Sequence, residues 1–291
     1  MTHPNPHSDS AATAEILIQP TRGWSWFSWR ELYAYRDLLW LLARRDIVAR
    51  YKQTILGPLW NIIQPLLTTV VFMVIFSRVA RIPTNGAPSS LFYLSGMLPW
   101  NFFSQTFQST ASTFLVNANI FGKVYFPRLI VPISAMLSNV VALAIQFLVF
   151  LVVFAVEKWA PRGGSFHMEA TVWLLPLVFV QVALLSLGVG LWIAALAAKF
   201  RDFAVLSGFL LQLWMYATPV VLPLTRVPAR WLWVFEINPM TFPLEATRQM
   251  LLGAGTPNLV LFVFSIGITL LIAAGGVMIF QRVEKNFVDV I

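Results

Sequence analysis

Residues 129–156 read LIVPISAMLSNVVALAIQFLVFLVVFAV, without one ionisable side chain. A helix needs about 20 mostly apolar residues to cross a bilayer core, and this run exceeds that. An ionised side chain at the bilayer centre costs roughly 2.5–3.5 kcal/mol even on a lenient insertion scale, so charge-free length is an informative ruler. The same ruler, carried outward, finds charge-free runs at 53–77, 82–122, 170–198, 203–225 and 249–281. The run at 82–122 opens with IPTNGAPSS, whose Pro, Gly and Asn favour a turn. Together the runs predict an all-α polytopic membrane protein with six spanning helices, near 59–79, 91–116, 133–156, 171–198, 203–223 and 258–280.

Composition agrees. Of 291 residues, 58% are hydrophobic and 11% charged, whereas soluble domains average about 45–50% and 25%. An ordinary soluble enzyme and a disordered chain are both excluded. The net charge of +8 has no soluble domain to carry it, so it points to anionic headgroups and not to nucleic acid. There is no cysteine, hence no disulfide, zinc–thiolate or iron–sulfur site. His3, His7 and His167 fall in an expected tail and loop, and no metal site is expected.

Lys and Arg set the orientation. Arg22, Arg30, Arg36, Arg44, Arg45, Arg50 and Lys52 crowd the first 52 residues, which places the N-terminus in the cytoplasm. An even number of spans returns the C-terminus there, while the remaining loops add little bias. Residues 1–29 are expected to be a cytoplasmic arm without the apolar run of a signal peptide. Residues 30–56 read as an amphipathic interfacial helix and connector, 57–282 as the transmembrane domain and 283–291 as a cytoplasmic tail. Trp24, Trp26, Phe27, Trp29, Tyr33, Tyr35 and Trp40 interleave with the basic residues, as suits the headgroup level. This segment is either a plain anchor or also a docking surface.

Polar residues inside the spans mark the candidate working surfaces. Asn101, Gln105, Gln108 and Ser112 recur at i, i+4, i+7 and i+11 and share one helical face. Facing lipid would be costly, so the stripe faces protein or water, as an interhelical hydrogen-bond seam or a pore wall. Amides beside aromatic rings suit sugars, with their hydroxyls and apolar C–H faces. Asn61, Gln64 and Thr68 form a second stripe, continued by Phe72 and Phe76. Ser186, Gly190, Ala194 and Ala198 form a small-residue ridge for close helix packing. Arg50, Tyr51 and Lys52 stand at the inner mouth of the first span, just before the Gly57-Pro58 break. There they can take an anionic diphosphate or simply reach up to lipid phosphates. Residues 224–257, rich in Pro and Trp, are too apolar for a solvated loop and too broken to span, so short interfacial or re-entrant helices are expected. Within them Glu245 and Arg248 stand one turn apart, a pair worth a few tenths of a kcal/mol if exposed.

No acid or histidine falls at the middle of a span, which argues against proton-coupled transport and intramembrane acid–base catalysis. A membrane-embedded glycolipid enzyme is a lesser alternative, since it would need an acidic pair or metal-binding acidic cluster that the sequence lacks, and a structural or scaffold membrane protein is another. Gly122-Lys123 lacks the rest of a Walker A loop, with Asn117 and Val124 where Gly and Ser or Thr would be needed. Transport powered by a nucleotide would need its ATPase on another chain.

Four stretches carry a resemblance. DIVARYKQTILGPLW at 46–60, VYFPRLIVP at 124–132, FRDF and ATPVVLP at 200–203 and 217–223, and NPMTFPLEATRQMLL at 238–252 occur in register over nearly the whole chain after residue 30. They resemble the permease subunits of ABC-2-type exporters. More narrowly, they are similar to permeases for lipid-linked polysaccharides such as O-antigen, capsule and teichoic acid. Exporters of drugs or small lipids share that fold and are the alternative. The resemblance implies a non-enzymatic homodimer of six-span subunits in the bacterial inner membrane, serving lipopolysaccharide biosynthesis. It implies two copies of a cytoplasmic ABC ATPase that hold the ATP and Mg, with no cofactor in this chain. The loop bearing Phe121, Lys123, Tyr125, Phe126 and Arg128 would couple to that ATPase. The first and fifth spans, the latter with Trp214 and Tyr216, would help line the channel, and 224–257 would narrow its exit. A polyprenyl-diphosphate-linked glycan would enter near Arg50, Tyr51 and Lys52, among membrane lipids.

Overall fold

The computed structural model describes residues 33–52, 54–121, 126–159 and 166–287, and over them the protein is all-helical. Helix α1 spans Arg36–Tyr51. Gly57–Leu59 forms a 3-10 turn with Pro58 where its missing N–H costs nothing, and leads into α2, Trp60–Phe72, which a π-helical stretch extends over Met73–Val79. Then come α3, Ser89–Ala111, and α4, Thr113–Phe121. Helix α5 covers Ile130–Trp159, α6 Leu175–Lys199 and α7 Asp202–Tyr216. Two short helices, α8 at Ala229–Ile237 and α9 at Thr241–Leu252, precede the long α10, Leu259–Phe287.

Among the described residues, four stretches are long and apolar enough to cross a membrane: Gly57–Val79, Ile130–Trp159, Ala170–Lys199 and Leu259–Glu284. The expected spans at 91–116 and 203–223 look different. The first is divided at Ser112, where φ −89° and ψ 2° leave the helical range. Hydroxyls there bond back onto the helix: Ser109 to the Gln105 carbonyl at 2.9 Å, Ser112 to that of Gln108 at 2.9 Å. Such back-bonding weakens and bends a helix. The second ends at Tyr216. Pro219 follows closely and disfavours helical geometry just before it, and the Thr218 hydroxyl turns back to the Trp214 carbonyl at 2.7 Å. The tail expected from residue 283 stays helical to Phe287.

Helix α3 is the hub. Its Phe102, Phe103 and Phe107 pack with Val182 and Leu185 of α6, Leu211 of α7, and Met240 and Leu244 at α9. Toward its start, Leu91, Leu94 and Leu98 join Phe150 and Phe154 of α5 and Leu251 of α9. At the opposite end Phe114, Phe121 and Phe126 meet Leu42 of α1, Leu191 of α6 and Phe280 of α10. The small-residue ridge on α6 works as expected. A Cβ on Gly190 would lie 2.5 Å from Thr110 of α3, and one on Gly188 would lie 2.8 Å from the Ala273 backbone of α10. Only glycine allows α6 to sit this close to both neighbours.

The 224–257 segment does form short helices, yet α9 is buried where an exposed pair was one possibility. Glu245 and Arg248 are 1% and 0% exposed, with their ion pair at 3.3 Å. The surface value for such a pair therefore does not apply: removing one member of a buried pair costs about 3–5 kcal/mol. Arg248 also donates to the Val220 carbonyl at 2.6 Å and to the Pro219 carbonyl, and its guanidinium lies 3.9 Å from the centre of the Phe92 ring. Glu245 accepts from the Thr256 N–H at 2.8 Å and from its hydroxyl at 3.1 Å. The pair thus ties α9 to α3 and to the turn that ends α7.

Candidate functional site

Both polar stripes come together. A cavity of about 720 Å³ opens between α2, α3, α5 and α7. Asn61 and Gln64 line it from α2, Asn101, Gln105 and Gln108 from α3. The α3 stripe makes one interhelical hydrogen bond and otherwise faces the cavity. Asn101 donates its amide N–H to Gln146 Oε1 of α5 at 3.1 Å, while Gln105 and Gln108 line the cavity. At its rim stands Arg50, at the end of α1.

Arg50 is the charged residue among those lining the cavity, and everything else there is amide, hydroxyl or small apolar surface. Its Nη2 donates to Asn139 Oδ1 at 2.8 Å. Asn139, 1% exposed on α5, donates in turn to the hydroxyls of Thr106 and Ser109 on α3, each at 3.3 Å. One residue earlier, the Ser138 hydroxyl donates to the Ala43 carbonyl of α1 at 3.0 Å. Losing Arg50 would orphan the buried Asn139 oxygen, at about 1–3 kcal/mol, and this keeps the guanidinium at the rim.

Its expected companions diverge. The Tyr51 hydroxyl accepts from Asn61 Nδ2 at 2.7 Å, joining α1 to α2, and Lys52 is exposed away from the cavity lining. Thr68 turns its hydroxyl onto the Gln64 carbonyl at 2.9 Å. Phe72 and Phe76 pack edge-on against each other, centroids 5.6 Å apart, and against the core at α3. Trp214 packs on Phe103 at 5.0 Å and donates to Asn238 Oδ1 at 3.0 Å, beside a separate apolar recess. Tyr216 is 61% exposed. None of Thr68, Phe72, Phe76, Trp214 and Tyr216 lines the polar cavity.

Around the break between α4 and α5, Phe121, Phe126 and Arg128 are buried. The Arg128 backbone N–H donates to Glu284 Oε1 at 3.2 Å and its Nη1 to the Glu284 carbonyl at 3.1 Å, fastening the loop to the end of α10. Lys123 and Tyr125 lie outside the described residues, as do Trp24, Trp26, Phe27, Trp29 and the arm at 1–29.

Gln146, Ser104, Ser109 and Ser207 also line the cavity and were not expected from the sequence. A signal for two site residues on α5 was there: Asn139 and Gln146 break an otherwise apolar run at i and i+7, one helical face.

Residues 37–252 match the ABC-2 type transporter family. The chain belongs to that family. Among relatives of this ABC-2 protein, the O-antigen export system permease protein RfbA of Myxococcus xanthus is 30% identical over 261 residues, covering 88% of this chain and 96% of that one. RfbA of Klebsiella pneumoniae is 27% identical over 257 residues, covering 88% and 95%. The polysialic acid transport protein KpsM of Escherichia coli is 23% identical over 211 residues, covering 70% and 77%. As an ABC-2 membrane protein, the chain presents a polar cavity with a cationic rim, enclosed by apolar helices.

Proposed function

We propose that this chain is the permease subunit of an ATP-driven exporter that moves a diphosphate-linked polysaccharide, of the O-antigen or capsule kind, out of the bacterial cytoplasm. The cavity carries this reading. Amides and hydroxyls exchange hydrogen bonds with sugar hydroxyls, and uncharged contacts are weak enough for a polymer to break repeatedly as it slides. Arg50 supplies the single cation that a diphosphate head requires. The names of the relatives, which are O-antigen and polysialic acid transporters, support the same cargo class.

In this reading the subunit crosses the inner membrane six times, through α2, α3–α4, α5, α6, α7 and α10, with both termini in the cytoplasm. Helices α8 and α9 re-enter from the outside. Two copies pair so that their cavities face one pathway, and two copies of a separate ABC ATPase hold ATP and Mg and drive it. Closure of the ATPases pushes on the 121–128 loop. Because Arg128 is fastened to the end of α10 and Phe121 packs against α1, that push reaches both helices.

The test uses the chain co-purified with its ATPase in lipid nanodiscs. ATP hydrolysis is measured with and without lipid-linked glycan, in wild type and in a Gln105→Leu, Gln108→Leu double variant. Basal hydrolysis is expected to persist in the variant and glycan stimulation to fall at least about fivefold, as two cavity amides lose their hydrogen bonds. A chain that associates with no ATPase, or stimulation by apolar drugs alone, would overturn the reading.

A further inference from the structure

We propose that Asn139 is the positioning residue of the anion site. It holds the Arg50 guanidinium at the cavity rim without cancelling its charge, so that the diphosphate linkage is gripped there while the adjoining sugars meet the amides. This rests on the reading of the cavity given above.

The geometry separates two jobs that one side chain usually combines. A buried carboxylate would fix an arginine firmly but neutralise it, as Glu245 does for Arg248 at 3.3 Å. Among the described residues no carboxylate lies within ion-pair distance of Arg50. Its partner is a neutral amide oxygen at 2.8 Å. That amide cannot swing, because its nitrogen is bonded to Thr106 and Ser109 on the neighbouring helix. Asn139 is therefore oriented from α3, projects from α5, and fixes a residue of α1. Arginine carries five N–H donors in a planar fork, and Asn139 takes a hydrogen bond from one nitrogen, Nη2. The rest of the fork remains available to phosphate oxygens, in the bidentate manner arginine favours. Ser109 lines the cavity as well as holding Asn139, so the positioning web and the sugar-facing wall share a residue.

The phosphate oxyanion could come from a prenyl diphosphate or from an anionic membrane lipid, and the experiment separates them. The full chain is placed in phosphatidylcholine nanodiscs and titrated with labelled geranylgeranyl diphosphate, with a parallel series containing phosphatidylglycerol. Arg50→Ala is expected to weaken binding at least about tenfold by removing the charge-assisted bonds. Asn139→Asp is expected to weaken it to a similar degree with the thermal midpoint unchanged, because Asp still accepts from Arg50 but neutralises it. That outcome is one a merely structural role would not produce. Asn139→Leu is expected to lower both affinity and midpoint. If Asn139→Asp proves unfolded, Thr106→Val decides the matter, since it removes one of the two bonds that orient the amide and should weaken binding about threefold.

Wild-type affinity in Asn139→Asp, or in Thr106→Val where the first is unfolded, would overturn the positioning role while leaving the cavity reading intact. Wild-type affinity in Arg50→Ala would instead overturn the anion site itself. Loss of prenyl diphosphate binding on adding phosphatidylglycerol would assign the site to lipid headgroups and overturn the glycan linkage as its occupant.

Discussion

Arg248 is the largest fully buried side chain in the described residues, and its surroundings explain how a guanidinium survives there. Glu245 balances the charge, the Pro219 and Val220 carbonyls take its Nη hydrogens, and the Phe92 ring faces the group from the other side. Removing the arginine leaves Glu245 Oε1 and two carbonyls without their donor, and the carboxylate charge without its counter-ion. Removing only the acid leaves the carbonyl bonds in place. Both Arg248→Met and Glu245→Gln should therefore destabilise by about 3–5 kcal/mol, the arginine variant toward the upper end because it also orphans the two carbonyls. Thermal unfolding of the purified variants in nanodiscs checks the order, and equal midpoints would show that the carbonyl bonds contribute nothing. The i+3 spacing of this pair was legible in the sequence. Its burial was not, because a short segment with mixed polarity does not reveal which of its faces the rest of the chain will cover.

At the scale of elements, two glycines make opposite claims on space. Gly190 faces α3 with no room for a Cβ, whereas a Cβ on Gly208 in α7 would meet nothing within 4 Å, although Gly208 lines the polar cavity. Gly190→Val should push α6 off α3, costing about 1–3 kcal/mol through overpacking and lowering the yield of folded protein. Gly208→Leu should fold normally and obstruct the cavity, reducing glycan export in cells while leaving the thermal midpoint near wild type. A folded, fully active Gly208→Leu would mean that the cargo does not pass this wall. The small-residue ridge on α6 was readable from its i+4 spacing alone. Which helix each glycine would meet was not, since spacing identifies a face and says nothing of the partner.

Across the whole molecule, Phe121, Phe126 and Arg128 join the break between α4 and α5 to α1 and α10. Phe126 belongs to a core shared with α1, α6 and α10 and Arg128 is bonded to Glu284 of α10, so substituting them would disturb packing and coupling together. Lys123→Ala with Tyr125→Ala is the cleaner test of coupling. In the co-purified complex it should lower glycan-stimulated ATP hydrolysis severalfold with the thermal midpoint preserved, while Phe126→Ala should lower the midpoint by the usual cost of emptying a buried aromatic site, about 3–5 kcal/mol. Unchanged hydrolysis in the Lys123, Tyr125 variant would remove these two side chains from the proposed coupling contact.

The sequence by itself determined the helical, membrane-crossing class, the close-packing ridge on α6, and the amide stripes on α2 and α3. These follow from local rules, because charge-free length and helical periodicity act along a single segment. It also carried the four stretches that resemble the ABC-2 permeases. Only the tertiary structure decided that the amides of the two stripes line one cavity, that Phe72, Phe76 and Trp214 pack against the core, and that Arg50 lines the cavity while the exposed Lys52 does not. Those outcomes depend on the rotation of each helix against its neighbours. That rotation is set by which side chains interdigitate across an interface, information that no single helix contains.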